Sequence, residues 1–335
     1  MRKYFLLLLA LLLALSLVAA GCGGSQEEPK EQGEQQQSGG ETTKLFLATG
    51  STGGTYYPLG GAMAKVWNDN IEGLNVTAQS TGASVENIRL LASGQTELAM
   101  AMNGPAQAAW LGKGDFEGKP LNNFRAVGVI YPEVMQIVTP TDSGIQTVAD
   151  LKGKRVSIGP VGSGTASSAL KILAAYGLDP EKDIQKFQDT FADAARKLKD
   201  GQLDAAFAVL AVPAGSIIDV TTSTPVTIVD IEGEGLQKLL EADPAFTPYD
   251  IPGGTYKGQD EVAHTVSQWA VLYVKEDLPE DLIYQMTKVM YEKTDEIAKG
   301  HARGEQITID NALKGIEPVE FHPGAVKYYK EKGMM

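Results

Sequence analysis

Beyond residue 43, short apolar runs alternate with segments whose apolar residues recur every three or four positions. Runs of the first kind predict strands and segments of the second kind predict helices. Strands are expected at 44–49 (KLFLAT), 74–79 (LNVTAQ), 98–102, 155–158, 205–210 and 225–231. Helices are expected at 57–70, 84–93, 105–111, 167–176 and 192–200, with a helical turn at 147–151. Repeated strand–helix–strand units predict parallel sheets covered by helices on both faces. No internal repeat of a solenoid or propeller type is present.

Two segments break this rhythm by their length. The stretches 125–139 (RAVGVIYPEVMQIVT, interrupted by Pro132) and 262–275 (VAHTVSQWAVLYVK) are extended and apolar, and they flank the middle of the chain. If both cross between lobes, residues 44–135 and 263–335 form lobe 1 and residues 136–262 form lobe 2. Tandem independent domains would instead need a polar, Pro/Gly-rich linker between 140 and 260, and none occurs there. The expected fold is therefore α/β and two-lobed. Each lobe is a mostly parallel sheet flanked by helices, and hinge strands join the two in a periplasmic-binding-protein-like arrangement that can close on a ligand.

The N-terminus narrows the setting. Arg2 and Lys3 precede an uncharged run from Phe5 to Ala20, too short and too early for an ordinary span, so 1–21 reads as an export signal. Ala19-Ala20-Gly21 before Cys22 is similar to a bacterial lipoprotein cleavage site, which implies that Cys22 is lipidated and tethers the chain outside the membrane. Cys22 is the only cysteine, so the mature chain forms no internal disulfide and depends on its core. Residues 22–43 hold Gln, Glu and Gly with no aliphatic or aromatic side chain after Cys22. Such a segment cannot offset its ordering entropy and is expected to be a disordered spacer. About 290 residues then remain, enough for two lobes.

Charge and chemistry exclude several classes. The net charge is −13 and becomes −15 once Arg2 and Lys3 leave with the signal, which argues against nucleic acid. Outside the membrane there is no ATP supply for a kinase or motor. His264, His301 and His322 lack metal-ligand spacing, and no motif pairs them with Ser51, Ser84 or Ser163 as a hydrolase triad. No enzyme activity, cofactor or metal is expected.

Candidate binding residues lie in three glycine-rich turns between a strand and a helix, where open α/β sheets hold ligands. The first is Thr49-Gly50-Ser51-Thr52-Gly53-Gly54-Thr55-Tyr56-Tyr57-Pro58. Thr55 could cap the following helix, whose start favours an anion, and the adjacent Tyr56 and Tyr57 cannot both face the core. The second, Ser80-Thr81-Gly82-Ala83-Ser84, puts Ser84 and Asn87 in capping-box spacing or, alternatively, makes both ligand donors. The third, Gly159-Pro160-Val161-Gly162-Ser163-Gly164-Thr165, lacks the Gly-Lys-Ser/Thr of a phosphate loop and the serine of a nucleophile elbow. It leaves an amide cradle with two hydroxyls, on the other lobe from the first two turns. Tyr131, and less strongly Gln268 and Trp269, fall in the crossover strands near the expected cleft floor. Arg89, Glu86, Asp193 and Asp204 read as surface groups, and Trp67, Trp110, Tyr291, Tyr328 and Tyr329 as packing residues.

Taken together the motifs carry a resemblance. Gly53-Gly-Thr-Tyr-Tyr57, Thr81-Gly-Ala-Ser-Val-Glu-Asn87, Ser93-Gly-Gln-Thr-Glu-Leu-Ala99, Leu151-Lys-Gly-Lys-Arg-Val156, Gly162-Ser-Gly-Thr165 and Asp200-Gly-Gln-Leu-Asp-Ala205 follow the order and spacing of one family. From Lys44 onward the chain resembles a TAXI-type solute-binding protein of tripartite ATP-independent periplasmic (TRAP) transporters. The resemblance implies a monomeric, two-lobed subunit that passes a small carboxylate solute (glutamate, glutamine or a C5 dicarboxylate) to a membrane permease. It also implies a pocket bordered by Met102-Asn103-Gly104 and by Val212-Pro213-Ala214-Gly215, where this chain departs from the usual family residues. A ligand-sensing protein for a membrane receptor kinase shares every one of these features. The implied ligand set is Ser51, Gly54, Thr55, Tyr56, Tyr57, Ala83, Ser84, Asn87, Asn103, Tyr131, Gly162, Ser163, Gly164, Thr165, Val212 and Pro213.

Overall fold

In the computed structural model the N-terminal alternation folds as expected, with residues 42–335 described. The leader, Cys22 and nearly all of the proposed spacer lie outside the described residues. Strand β1 (Thr43–Ala48), helix α1 (Tyr56–Asn70), β2 (Leu74–Gln79), α2 (Ser84–Ala92), β3 (Leu98–Met102) and α3 (Asn103–Leu111) follow in turn. Strand β1 lies between β2 and β3, parallel to both. Helix α1 turns Leu59, Met63 and Trp67 inward at a spacing of four, and Trp67 can be fully buried because its indole N–H donates to Met286 O at 3.0 Å.

The chain then leaves along β4 (Phe124–Pro140). The middle third comprises β5 (Arg155–Ser157), α4 (Gly164–Ala175), β6 (Gln185–Phe187), α5 (Phe191–Lys199), β7 (Ala205–Leu210), α6 (Gly215–Thr221), β8 (Val226–Ile228), α7 (Gly233–Ala242) and β9 (Thr247–Ile251). It returns along β10 (Ala263–Lys275) to α8 (Glu280–Glu292), α9 (Thr294–Gly300) and α10 (Pro323–Glu331). Strand β6, helix α6 and strand β9 carry weak periodicity and are not among the expected elements; nor is helix α7, although Leu236, Leu239 and Leu240 recur there at helical spacing. Strand β9 (TPYDI) is polar with one proline, and it pairs only with β10.

The sheet differs from the mostly parallel lobes expected. Its ten strands form one mixed sheet, ordered β2-β1-β3-β10-β4-β7-β5-β6, with β8 paired to β4 and β9 to β10. The outer strands are parallel on each side, but the centre is antiparallel, because the chain departs along β4 and comes back along β10. At 17 residues β4 is about three times the usual strand length. Pro132 does not end it. Pairing with β7 begins only at Val134, so the missing N–H falls where that edge has no partner strand.

Four apolar clusters cover the two faces of this sheet. On one face, the cluster around Trp67, Met286 and Tyr328 takes Val127, Ile130 and Tyr131 from β4, while the cluster around Ile172, Leu173 and Leu239 takes Met135 and Ile137. On the other, Ile88, Leu91 and Ala109 pack on Phe124, Ala126 and Val129, while Leu198, Ile217 and Val220 pack on Val134 and Val138. Along β4 the change from one set to the next falls between Tyr131 and Val134, at Pro132-Glu133. Upstream of that point the free edge of β4 is closed by the C-terminal segments. Tyr291 and Tyr329 hydroxyls donate to Val129 O and Val127 O, and Ala126 N donates to Glu320 O at 2.8 Å. Among the described residues no helix is long and apolar enough to cross a membrane.

Candidate functional site

The three glycine-rich turns converge. The first leads from β1 into α1, the second from β2 into α2, and the third from β5 into α4. Together with Met102 of β3, Glu133 of β4, Phe191 of α5, and Val209 and Leu210 of β7, they line one small cavity at the centre of the sheet. Of the residues expected there, Ser51, Gly54, Thr55, Tyr56, Ala83, Ser84, Ser163, Gly164 and Thr165 line it. The middle third presses closely on the rest of the chain at this point. A side-chain carbon on Gly164 would fall 2.4 Å from Met102 Sδ and 2.8 Å from Ser84 Oγ, so only glycine permits the approach.

Direct hydrogen bonds join the two sides. Gly162 O accepts from Val85 N and Glu86 N, both at 3.0 Å, and so occupies donors at the start of α2. Ala211 N donates to Thr55 Oγ1 at 3.4 Å, and Arg303 donates to Pro213 O at 3.1 Å. The cavity volume is about 30 Å³. A cavity of about 150 Å³ is known to hold benzene, so a solute of that size enters this one only if the two sides separate.

Several capping assignments are corrected. Thr55 makes no side-chain cap on α1, because its hydroxyl accepts from Ala211 N instead. Ser84 is the first residue of α2 rather than its cap, and its Oγ accepts from Met102 N at 3.1 Å. Ala83 holds the cap position at φ 76°, a left-handed conformation that few non-glycine residues adopt. Ser163 does cap α4, accepting from Ala166 N at 3.0 Å while donating to Pro160 O at 2.6 Å. Thr165 Oγ1 accepts from Val209 N at 3.4 Å.

Other expected ligand residues lie away from the cavity. Asn87 is fully buried as a tie within the fold. Its amide donates to Thr49 O at 2.6 Å and Met100 O at 2.7 Å, and its carbonyl accepts from Thr81 Oγ1. Asn103 donates to Gly315 O and accepts from Trp269 N, so both ends of its amide are used in joining β10 to the C-terminal segment. Tyr57 is exposed, whereas Tyr56, next to it on the first turn of α1, is buried. Gly162 bridges to α2 rather than lining the cavity. Val212 packs in the α5–α6 cluster, and Pro213 sits in a loop held by Tyr256, whose hydroxyl accepts from Ala214 N and donates to Gln136 Oε1. Tyr131 stands behind the cavity, edge-on to Tyr56 at 6.3 Å. Trp269 packs at Gly315, Gln268 packs at Gly104, and Arg89 lies over Phe116 at the surface.

Of the lining residues outside the expected set, the one with an ionisable side chain is Glu133. It is 5% exposed, lines the cavity, and accepts a hydrogen bond from the Tyr131 hydroxyl. Burial raises its pKa to about 8, and the Tyr131 bond only partly opposes this. Among the described residues no lysine or arginine lines the cavity. The signal was present, since Glu133 is the only charge between Ala126 and Thr139. Two further polar atoms point into this region unpaired. Ser51 Oγ and Tyr56 Oη are buried without a hydrogen-bond partner, although Ser84 lies close to Tyr56.

A larger groove of about 1030 Å³ runs between α3, the end of α4, α7 and residues 313–321. It gathers none of the three turns, and its Lys171 and Lys238 are already paired with Asp243 and Glu234. Volume favours the groove, whereas convergent polar groups favour the small cavity. The small cavity, where the polar groups converge, is the candidate site.

Strand order, helices on both faces and turns gathered at the strand ends define an α/β protein of the periplasmic-binding-protein fold. The chain belongs to the NMT1-like family, which matches residues 47–333. Solved structures with this fold include a binding-protein component of an ABC phosphonate transporter from Pseudomonas aeruginosa, at 13% identity and TM-score 0.50 over 80% of this chain and 81% of that one. A Xanthomonas citri protein bound to ATP matches at 11% identity and TM-score 0.50, over 87% and 95% of the two chains. A Listeria monocytogenes protein provisionally described as an L-cystine ABC transporter matches at 15% identity and TM-score 0.50, over 81% and 98%. At these identities the likeness establishes the fold and no more.

Proposed function

We propose that this chain is the extracytoplasmic solute-binding subunit of a TAXI-type TRAP transporter. It captures a small carboxylate solute between two lobes and delivers it, untransformed, to a membrane permease. The observation that carries this reading is the meeting of turns from both sides of the crossover strands at one buried polar cavity. Residues 44–135 with 263–335, and residues 136–262, act as the lobes. The separate clusters on each side of Pro132-Glu133 support that division. The starts of α1 and α4 supply N–H groups for the carboxylate, one from each lobe. Lipid on Cys22 and the polar segment after it tether the body, as a monomer, to the outer face of the membrane.

The binding claim is tested on mature protein stripped of co-purified ligand, by thermal shift against amino acids and organic acids. A true solute at a hundredfold excess over Kd stabilises by about 2.7 kcal/mol. No shift with any of them, together with turnover of one, overturns the reading. The structural neighbours include proteins described as parts of ABC transporters, so the permease type needs its own test. Uptake with the cognate permease should run on an ion gradient without ATP, and strict ATP dependence would refute TRAP coupling.

A further inference from the structure

We propose that the solute carries a protonated primary amine beside its carboxylate, and that Glu133 is the counter-ion that selects it. This inference rests on the solute-binding reading above and names the class of solute. The geometry is that of a site for a zwitterion. Helix starts of α1 and α4 offer N–H groups to a negative end. Glu133, on the floor between them, offers a carboxylate to a positive one. Among the described residues the cavity lining contains no basic side chain, and the titratable groups facing Glu133 are Tyr131 on its own strand and Tyr56 on α1. Its register partner across β10 is Gln268, which is uncharged.

A solute with two carboxylates and no amine offers this buried acid no cation, and its own negative charge makes ionising Glu133 still costlier. An ammonium instead satisfies the carboxylate and can donate to the free Tyr56 and Ser51 oxygens, whose isolation inside the fold is otherwise unexplained. Only one proton movement is involved. Burial keeps Glu133 protonated in the solute-free protein at neutral pH. When the ammonium form of the solute binds, the Glu133 O–H bond breaks and that proton leaves to solvent. The bound pair is then a carboxylate and an ammonium, with the amine unchanged.

The test is calorimetric titration of the stripped full-length mature protein with L-glutamate and L-glutamine, and with 2-oxoglutarate and glutarate, which lack the amine. The two amino acids should bind at least thirtyfold tighter than the two amine-free acids. Near pH 7, runs in buffers of different ionisation heat should show close to one proton released per amino acid bound. Glu133→Gln, checked for folding by circular dichroism, should lose affinity for the amino acids at least tenfold and release no proton, while its weak binding of glutarate holds or improves. Glutarate or 2-oxoglutarate binding as tightly as glutamate overturns the proposal and leaves the carboxylate reading standing. So does amino-acid binding without proton release, which means Glu133 stays protonated and serves as a donor. Should Glu133→Gln fail to fold, proton release by the wild-type protein still decides. If no acid of either kind binds, the carboxylate reading itself falls and this inference falls with it.

Discussion

Glutamine at position 133 should make the stability of the folded protein less dependent on pH. Glu133 is almost wholly buried, and burial moves its pKa from 4.5 to about 8. The folded value lies above the unfolded one, so the group imposes no penalty below pH 4.5. Its cost grows as the pH rises and levels off above about 8. At about 1.4 kcal/mol per pH unit of displacement, the cost is about 3 kcal/mol at pH 7 and about 5 kcal/mol well above pH 8. Glutamine has nearly the same shape, keeps an oxygen for the Tyr131 hydroxyl, and never ionises. Urea melts of the two proteins from pH 5 to 8.5 give a stability difference in which the other carboxylates cancel. That difference should move in favour of Glu133→Gln by about 4 kcal/mol across the range. A difference that stays flat would refute the reasoning, because it would mean that Glu133 is ordinarily ionised and the floor of the cavity is wet.

Gly128→Ala should be among the most damaging small changes. Its new methyl would fall 2.2 Å from both the Tyr291 and Tyr329 hydroxyls, displacing donors to two strand carbonyls, and thermal melting should report a loss of about 3–5 kcal/mol; an unchanged Tm would contradict the packing. Asn87→Ala should lower stability by about 2–4 kcal/mol through its three hydrogen bonds, two of them buried, as read by denaturant melts. Calorimetry on the folded fraction should find affinity little changed, and a ligand-specific loss would restore Asn87 to the binding set. Cys22→Ser should shift the protein from the membrane to the soluble fraction, or leave it unprocessed, with solute binding intact. Membrane retention with attachment unaltered would show that Cys22 is not the anchor.

Much of the architecture was legible because it is written in short-range periodicity. The strand at Ala205–Leu210, the three turns, the two crossover strands and the opposite fates of Tyr56 and Tyr57 follow from which neighbours along the chain are apolar. That same local logic failed wherever a polar side chain could serve either a neighbour or a distant partner. Ser84 and Asn87 have capping-box spacing, yet their real partners are Met102 N, Thr49 O and Met100 O on two strands that only the sheet brings alongside. Asn103 waits on Gly315 O, 212 positions away in the chain.

By itself, then, the sequence determined the alternating elements, the crossing of the chain in two long apolar strands and the turns that any ligand must meet. Tertiary structure alone decided that β4 and β10 run antiparallel through one mixed sheet, and that Gly162 O takes the donors of α2 from the opposite side. It alone turned Glu133 into a cavity that no lysine or arginine among the described residues lines. A charge within an apolar run shows only that something must compensate it. Whether the partner is solvent, another side chain or a solute depends on what the fold packs around that one carboxyl.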